Sequence, residues 1–127
     1  MGIVHHSRLS ALGIDVSAET HAASANFWAG ALGRNVEPDD DGSSYLKLGR
    51  VGGLEIFVQS VGEGGPRFHI DIETDNVDAE VSRLESLGAT RVEPVNTWWV
   101  MRDPAGNLFC VVPQQTHDFP ADAATWS

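Results

Sequence analysis

Phe68-His69-Ile70-Asp71-Ile72 alternates apolar and polar side chains, the two-residue period of a strand with one buried face. Its centre has an earlier twin, because Ile70-Asp71 echoes Ile14-Asp15 at an offset of 56. Two further echoes keep the order. Leu87-Gly88 repeats Leu32-Gly33 at an offset of 55, and Val92-Glu93-Pro94 repeats Val36-Glu37-Pro38 at 56. Three ordered matches at nearly constant spacing imply two structural repeats of about 56 residues, since one half alone would leave a sheet face wet. The one-residue slip is absorbed by helices of different length and the loops that follow them.

Working outward, each half reads as βαβββ. In the first, Leu9–Val16 is a strand with Leu12, Ile14 and Val16 on one face and Gly13 and Asp15 on the other. A helix over about Ala18–Leu32 directs Phe27, Trp28, Ala31 and Leu32 inward and stops at Gly33. Extended segments follow near Asn35–Pro38, Ser44–Leu48 and Leu54–Ser60. In the second half, Asp75 or Asn76 caps a helix whose Val77, Val81, Leu84 and Leu87 form one stripe, ended by Gly88. Arg91–Val95 is a short strand. Trp98–Arg102 and Leu108–Val112 pair across Asp103-Pro104-Ala105-Gly106-Asn107, where proline presets φ and Gly106 tolerates a left-handed backbone. The expected organisation is one domain over 1–127: module one at about 7–60, a connector at 61–66, module two at about 67–113, and a polar tail at 114–127. Trp126 in that tail either stays solvated or docks on a partner subunit.

Taken together, Arg67–Ile72, the helix ending Leu87-Gly88-Ala89, and the run Trp98–Cys110 resemble the vicinal oxygen chelate superfamily, the glyoxalase/bleomycin-resistance/dioxygenase group, and within it the glyoxalase-like domain branch. The resemblance is strongest over 66–113 and reaches the first half through the repeat. It implies an α+β fold in which two βαβββ modules form an open, barrel-like sheet around a cleft, with helices on the outer faces. Under that implication Phe68, Ile70 and Ile72 lie beneath a helix while His69 and Asp71 face the cleft. Trp98, Val100 and Arg102 share one face and Trp99 and Met101 the other, with Trp98 either facing the cleft or packing in the core.

Metal-dependent members hold a divalent ion with His, Gln or Glu from the first and last strands of each module, where the ion polarises substrate oxygens. Carried over by position, the resemblance offers His69 in module two, but Cys110 where a Glu is expected and Gly13 where a His or Gln is expected. The last strand of module one presents Ile56 or Glu55, depending on phase. His69, joined by Glu55 only if a metal is present, is too small a set to hold an ion against water. Cys110 reads as a small buried hydrophobe, or as a thiolate third donor or nucleophile. His5-His6 precede the first strand as solvated side chains. His69 is therefore the chemical candidate, with Asp71 able to orient or charge-balance it, and Trp98, Val100, Arg102, Cys110, Glu55 and Gly13 as cleft-lining positions. No cofactor is expected.

Composition bounds the partners. Eighteen acids against eight bases give a net charge of −10, a surface that repels phosphate backbones, and no basic run offsets it. No apolar run reaches the roughly 20 residues a membrane span needs. Met1-Gly2 could open a myristoylation signal, but His6 stands where Ser or Thr is required. A lone cysteine forms no internal disulfide, which suits a cytoplasmic setting. The expected partner is a small molecule, not nucleic acid or membrane, and the resemblance implies a homodimer. Three functions stay open: a metal-independent, bleomycin-resistance-like small-molecule site in the cleft, a metal-dependent lyase, isomerase or dioxygenase with a non-standard ligand set, and a closed domain that only dimerises.

Overall fold

The computed structural model describes residues 4–38, 44–62 and 65–127. The Met1-Gly2 reading and Glu63-Gly64 of the connector lie outside the described residues. The elements run β1 (His5–Val16), α1 (His21–Leu32, preceded by a 3-10 turn at Ala18–Thr20), β2 (Glu37–Pro38), β3 (Tyr45–Val51), β4 (Leu54–Ser60), β5 (Arg67–Thr74), α2 (Val77–Ser86), β6 (Thr90–Val95), β7 (Trp98–Arg102), β8 (Leu108–Pro113) and β9 (Ala124–Trp126). The strands form a mixed, unclosed sheet of order β2-β3-β4-β1-β5-β8-β7-β6, with β9 added on β1. Together with two helices this is the expected α+β fold.

The internal echo is realised as a repeated pairing pattern. β1 runs parallel to β4, and β2, β3 and β4 form an antiparallel meander. In the same way β5 runs parallel to β8, and β6, β7 and β8 form a meander. The chain divides into two compact units, Ala11–His69 on the one hand and Met1–Ser10 with Ile70–Ser127 on the other, so the division falls inside β1 and inside β5.

In the unit Ala11–His69, alternation on β1 sends Ile14 and Val16 into a core with Leu48, Ile56, Val58 and the helix residues Ala25 and Ala29, and Leu12 and Trp28 pack against it. The face α1 turns to the sheet is His21, Ser24, Ala25, Trp28 and Ala29, the i, i+3, i+4, i+7, i+8 pattern of one helix face, led by small residues that let the helix lie close. This corrects the expected inward set. Phe27 is 64% exposed and Leu32 37%, and Ala31 is also exposed, because the stripe is centred on alanines that carry little hydrophobic signal. Gly33 ends α1 at φ 69, a conformation that glycine adopts without a Cβ penalty.

In the other unit, Val81, Met101, Phe109 and Val111 form the core, with Ile72, Val77, Leu84, Ala89 and Trp99 packed around it. Each fully buried apolar side chain here contributes about 1.5–3 kcal/mol. Asn76 caps α2, its Oδ1 accepting from the Ala79 N–H at 3.0 Å. Leu87 falls off the expected stripe and is 67% exposed, since α2 ends at Ser86. Ile72 lies under α2 as expected. Phe68 and Ile70 do not: they are 60% and 39% exposed, and Phe68 instead meets Trp28 edge-on at 6.4 Å. The hairpin after β7 is built by Asp103, whose Oδ1 accepts from the N–H groups of Ala105 and Asn107 at 2.9 and 2.8 Å.

Two expectations at the chain ends are overturned. β1 begins at His5, and His5 is buried, its Nε2 2.8 Å from Oε1 of the fully buried Glu80. His6 bonds Asp75 through both its backbone N–H and its ring. The segment expected as a tail is folded: His5–Ser7 pair with Ala124–Trp126. Trp126 docks within its own chain, donating Nε1–H to Ser7 Oγ at 2.9 Å with the Arg83 guanidinium 3.8 Å above its ring. The anchor is Glu73. Its buried carboxylate accepts from Arg8 Nε, the N–H groups of Gln115 and Thr116, and Thr116 Oγ1, while Arg8 reaches on to Asp118 and the Ala121 carbonyl. No helix among the described residues is long and apolar enough to cross a membrane.

Candidate functional site

The site follows from strand phase. Because Ile14 and Val16 turn toward α1, Gly13 and Asp15 must project from the helix-free face of β1. Register adds their neighbours: Gly13 stands opposite Phe57, and Asp15 opposite Gln59 on β4, which in turn faces Tyr45 on β3. His69, at the start of β5, lies over this row. Its Nδ1 is 2.9 Å from Asp15 Oδ2, and Arg67 Nε donates to the same oxygen at 3.1 Å. The imidazole meets Phe57 edge-on at 5.6 Å, Phe57 meets Tyr45 at 5.4 Å, and Gln59 Nε2 donates to Tyr45 Oη at 3.2 Å.

Asp15 is 2% exposed and His69 9%. Removing a carboxylate from water costs several kcal/mol unless donors and cations replace the lost hydration. Here Arg67 and His69 both do so at Oδ2, whereas Oδ1 is buried with no hydrogen-bond partner. With Nδ1–H donating to Asp15, a neutral imidazole carries its lone pair on Nε2. Such an arrangement can accept or release a proton at Nε2 and orient a polar ligand against an aromatic wall.

Asp71 on β5, Cys110 on β8 and Val100 on β7 stand opposite one another in register. His69 precedes Asp71 by two residues on the same strand. Glu55 pairs with Arg50 at 3.8 Å and is half exposed, whereas Ile56 is in the α1 core, so the helix-free phase belongs to Glu55. Trp99 is the indole packed under α2. Trp98 lines a surface hollow of about 310 Å³ with Asn76, Asp78, Pro94, Asn96 and Thr97. Arg102 is exposed and donates Nη1–H to the Gly106 carbonyl of its own hairpin at 2.8 Å.

The four-donor metal set implied by the resemblance is not assembled. Position 13 has no side chain, and a Cβ built there would overlap Cε1 of His69 and lie 2.7 Å from both its Nε2 and Cζ of Phe57, closer than the 3.0 Å that real Cβ contacts essentially never break. The donors that register does bring together, the Asp71 carboxylate and the Cys110 thiol, are a different pair.

Sequence reasoning missed Asp15, Arg67, Phe57 and Tyr45. One signal was present: Asp15 is the repeat counterpart of Asp71, so whatever made Asp71 a candidate partner for His69 applied equally to Asp15. Arg67 and the two rings carry no local mark, because only strand register brings them to the site.

Residues 11–112 match the profile of a family described as glyoxalase-like domain. No functionally curated protein matches. Among solved structures, a hypothetical protein from Bacillus halodurans C-125 aligns with a TM-score of 0.65 at 15% identity, covering 87% of this chain and 96% of that one. The 2,2',3-trihydroxybiphenyl 1,2-dioxygenase of Sphingomonas wittichii strain RW1 aligns at 0.56 and 15%, covering 87% of this chain and 42% of that one. Methylmalonyl-CoA epimerase of Streptomyces coelicolor aligns at 0.55 and 15%, covering 86% and 95%. At these identities the likeness extends to the fold alone.

Proposed function

Since the chain belongs to the glyoxalase-like domain family, we propose that it binds a small planar molecule at the helix-free face around His69, and that it does so without a metal. The observation carrying this reading is the buried His69–Asp15 hydrogen bond set against the Phe57 and Tyr45 rings. An aromatic wall beside one oriented imidazole suits a flat ligand with a single polar group, since apolar walls supply affinity and a few placed polar atoms supply orientation. The net charge of −10 favours neutral or cationic ligands over anions. If the site is catalytic, the chemistry is proton transfer through Nε2 of His69, held by Asp15. A homodimer and a cytoplasmic setting belong to the same proposal, on the resemblance and the lone cysteine.

The test is a spectrum-by-spectrum screen of planar aromatic amines and phenols against the 15N-labelled chain. Binding should shift the Gly13, Phe57 and His69 signals, and a folded His69→Ala chain should lose it. Shifts that ignore these residues, or persist in His69→Ala, refute the reading.

A second reading has one specific observation behind it, the register pair Asp71 and Cys110, which sets a carboxylate and a thiol side by side on β5 and β8. Carboxylate and thiolate are both zinc ligands. Stoichiometric zinc in protein purified without chelator, lost on Cys110→Ser, would favour a metal-dependent lyase, isomerase or dioxygenase instead.

A further inference from the structure

A glycine in the middle of a strand weakens it, lacking a side chain to pack and adding entropy to the unfolded chain, so its presence asks for a local reason. Gly13 sits mid-strand in β1, directly opposite Phe57 of β4. Ordinary reasons are absent: its neighbours Leu12 and Ile14 continue the regular alternation, and the pairing with β4 runs without a bulge from Ala11 to Val16. What is unusual is the crowding above it. The space a Cβ would occupy is taken by two rings at once, the imidazole of His69 and the phenyl of Phe57. Neither is a flexible chain end that swings aside cheaply. The imidazole is tied to Asp15 at 2.9 Å and is 9% exposed, and Phe57 is wedged between it and Tyr45.

We propose that Gly13 is a positioning residue: its missing side chain is the seat that lets the His69 imidazole lie down on β1 and hydrogen-bond to Asp15. Three features of β1 then act together. Gly13 makes the room, Asp15 two residues on supplies the acceptor, and the intervening Ile14 anchors the strand in the α1 core. A one-methyl addition at 13 would push the ring outward, lengthen the bond to Asp15 and free the imidazole to change tautomer. The same overlap means that a metal donor at position 13 and His69 in its present seat exclude one another. The inference rests on the reading of His69 as the working group, but its readouts need no ligand, so the two can fail separately.

The experiment joins a spectroscopic signature to a thermal cycle. Long-range 1H–15N spectra of the wild-type chain at neutral pH should show His69 protonated on Nδ1. In Gly13→Ala the His69 signals should move toward the Nε2-protonated or mixed pattern, and the melting temperature should fall by roughly 5–15 °C, as expected for overpacking. Introduced into His69→Ala, the same Gly13→Ala change should lower melting by clearly less, because the nearer of the two rings that block the Cβ is gone and Phe57 has room to move into the space it leaves. Should Gly13→Ala fail to fold on its own but fold beside His69→Ala, that relief equally supports the seat. An unmoved His69 tautomer, equal losses in the two backgrounds, or failure to fold in both would overturn it.

Discussion

Asp15 and His69 stand 54 residues apart in the chain and share a 2.9 Å hydrogen bond, Oδ2 to Nδ1, with both side chains almost wholly buried. The bond joins the first strand of the first repeat to the opening of the first strand of the second. Arg67, on the same strand as His69, bonds the same oxygen and balances the charge.

Asp15→Ala would remove the acceptor that Arg67 and His69 share. Breaking a buried ion pair from one side costs about 3–5 kcal/mol, discounted here because Arg67 is a third exposed. We expect a loss of about 2–3 kcal/mol in urea unfolding, a smaller loss for Asp15→Asn, and altered His69 tautomers in both. Unchanged midpoints would mean that the pair is incidental.

The C-terminal segment should depend on Glu73. In Glu73→Ala, Arg8, the buried Thr116 N–H and the part-buried Gln115 N–H lose their acceptor, and a cost of about 3–5 kcal/mol is expected. Hydrogen exchange should speed at Ala124–Trp126 before it does in the α1 core. Simultaneous loosening of both regions would contradict a local anchor.

Acid should release the same clasp. Burial pushes the Glu73 carboxyl up, but the Gln115 N–H, Arg8 and Thr116 outweigh it and hold it below its ordinary value of 4.5. Glu80 behaves alike: burial raises it, while Arg83, His5 and Ser7 lower it further than burial lifts it. Folded values below unfolded ones mean stability that is present above about pH 4.5 and lost as pH falls through the folded values. Stability measured from pH 7 to pH 3 should therefore fall mainly below pH 4.5, and Glu73→Gln should flatten that fall. A wild-type curve flat down to pH 3 would contradict the assignment.

The hairpin between β7 and β8 is a local test. Asp103→Ala removes the acceptor for the Ala105 and Asn107 N–H groups and for Asn107 Nδ2, in an exposed turn. A small loss of stability is expected, with the fold and the His69 signals intact.

Much of the fold was legible because it is written twice. Ile14-Asp15 and Ile70-Asp71 mark equivalent strands, and the two βαβββ patterns then share one set of pairings. What failed was burial by residue size. Phe27, Leu32 and Leu87 suggest inward stripes, yet α1 turns Ala25 and Ala29 to the sheet, and α2 ends before Leu87. The folded C-terminus was illegible for a different reason: Arg8, Glu73 and Thr116 lie far apart in sequence, and no periodicity joins them. His69 stood out as a candidate from the alternation of its own strand, whereas its hydrogen-bond partner Asp15 needed register.

One binding measurement on chelator-treated protein separates a His69 site that works without a metal from one that needs it. A planar aromatic amine that binds the untreated chain should bind the EDTA-dialysed chain with the same affinity and release no stoichiometric metal on treatment. Binding that vanishes with EDTA and returns with added zinc would contradict a metal-free site.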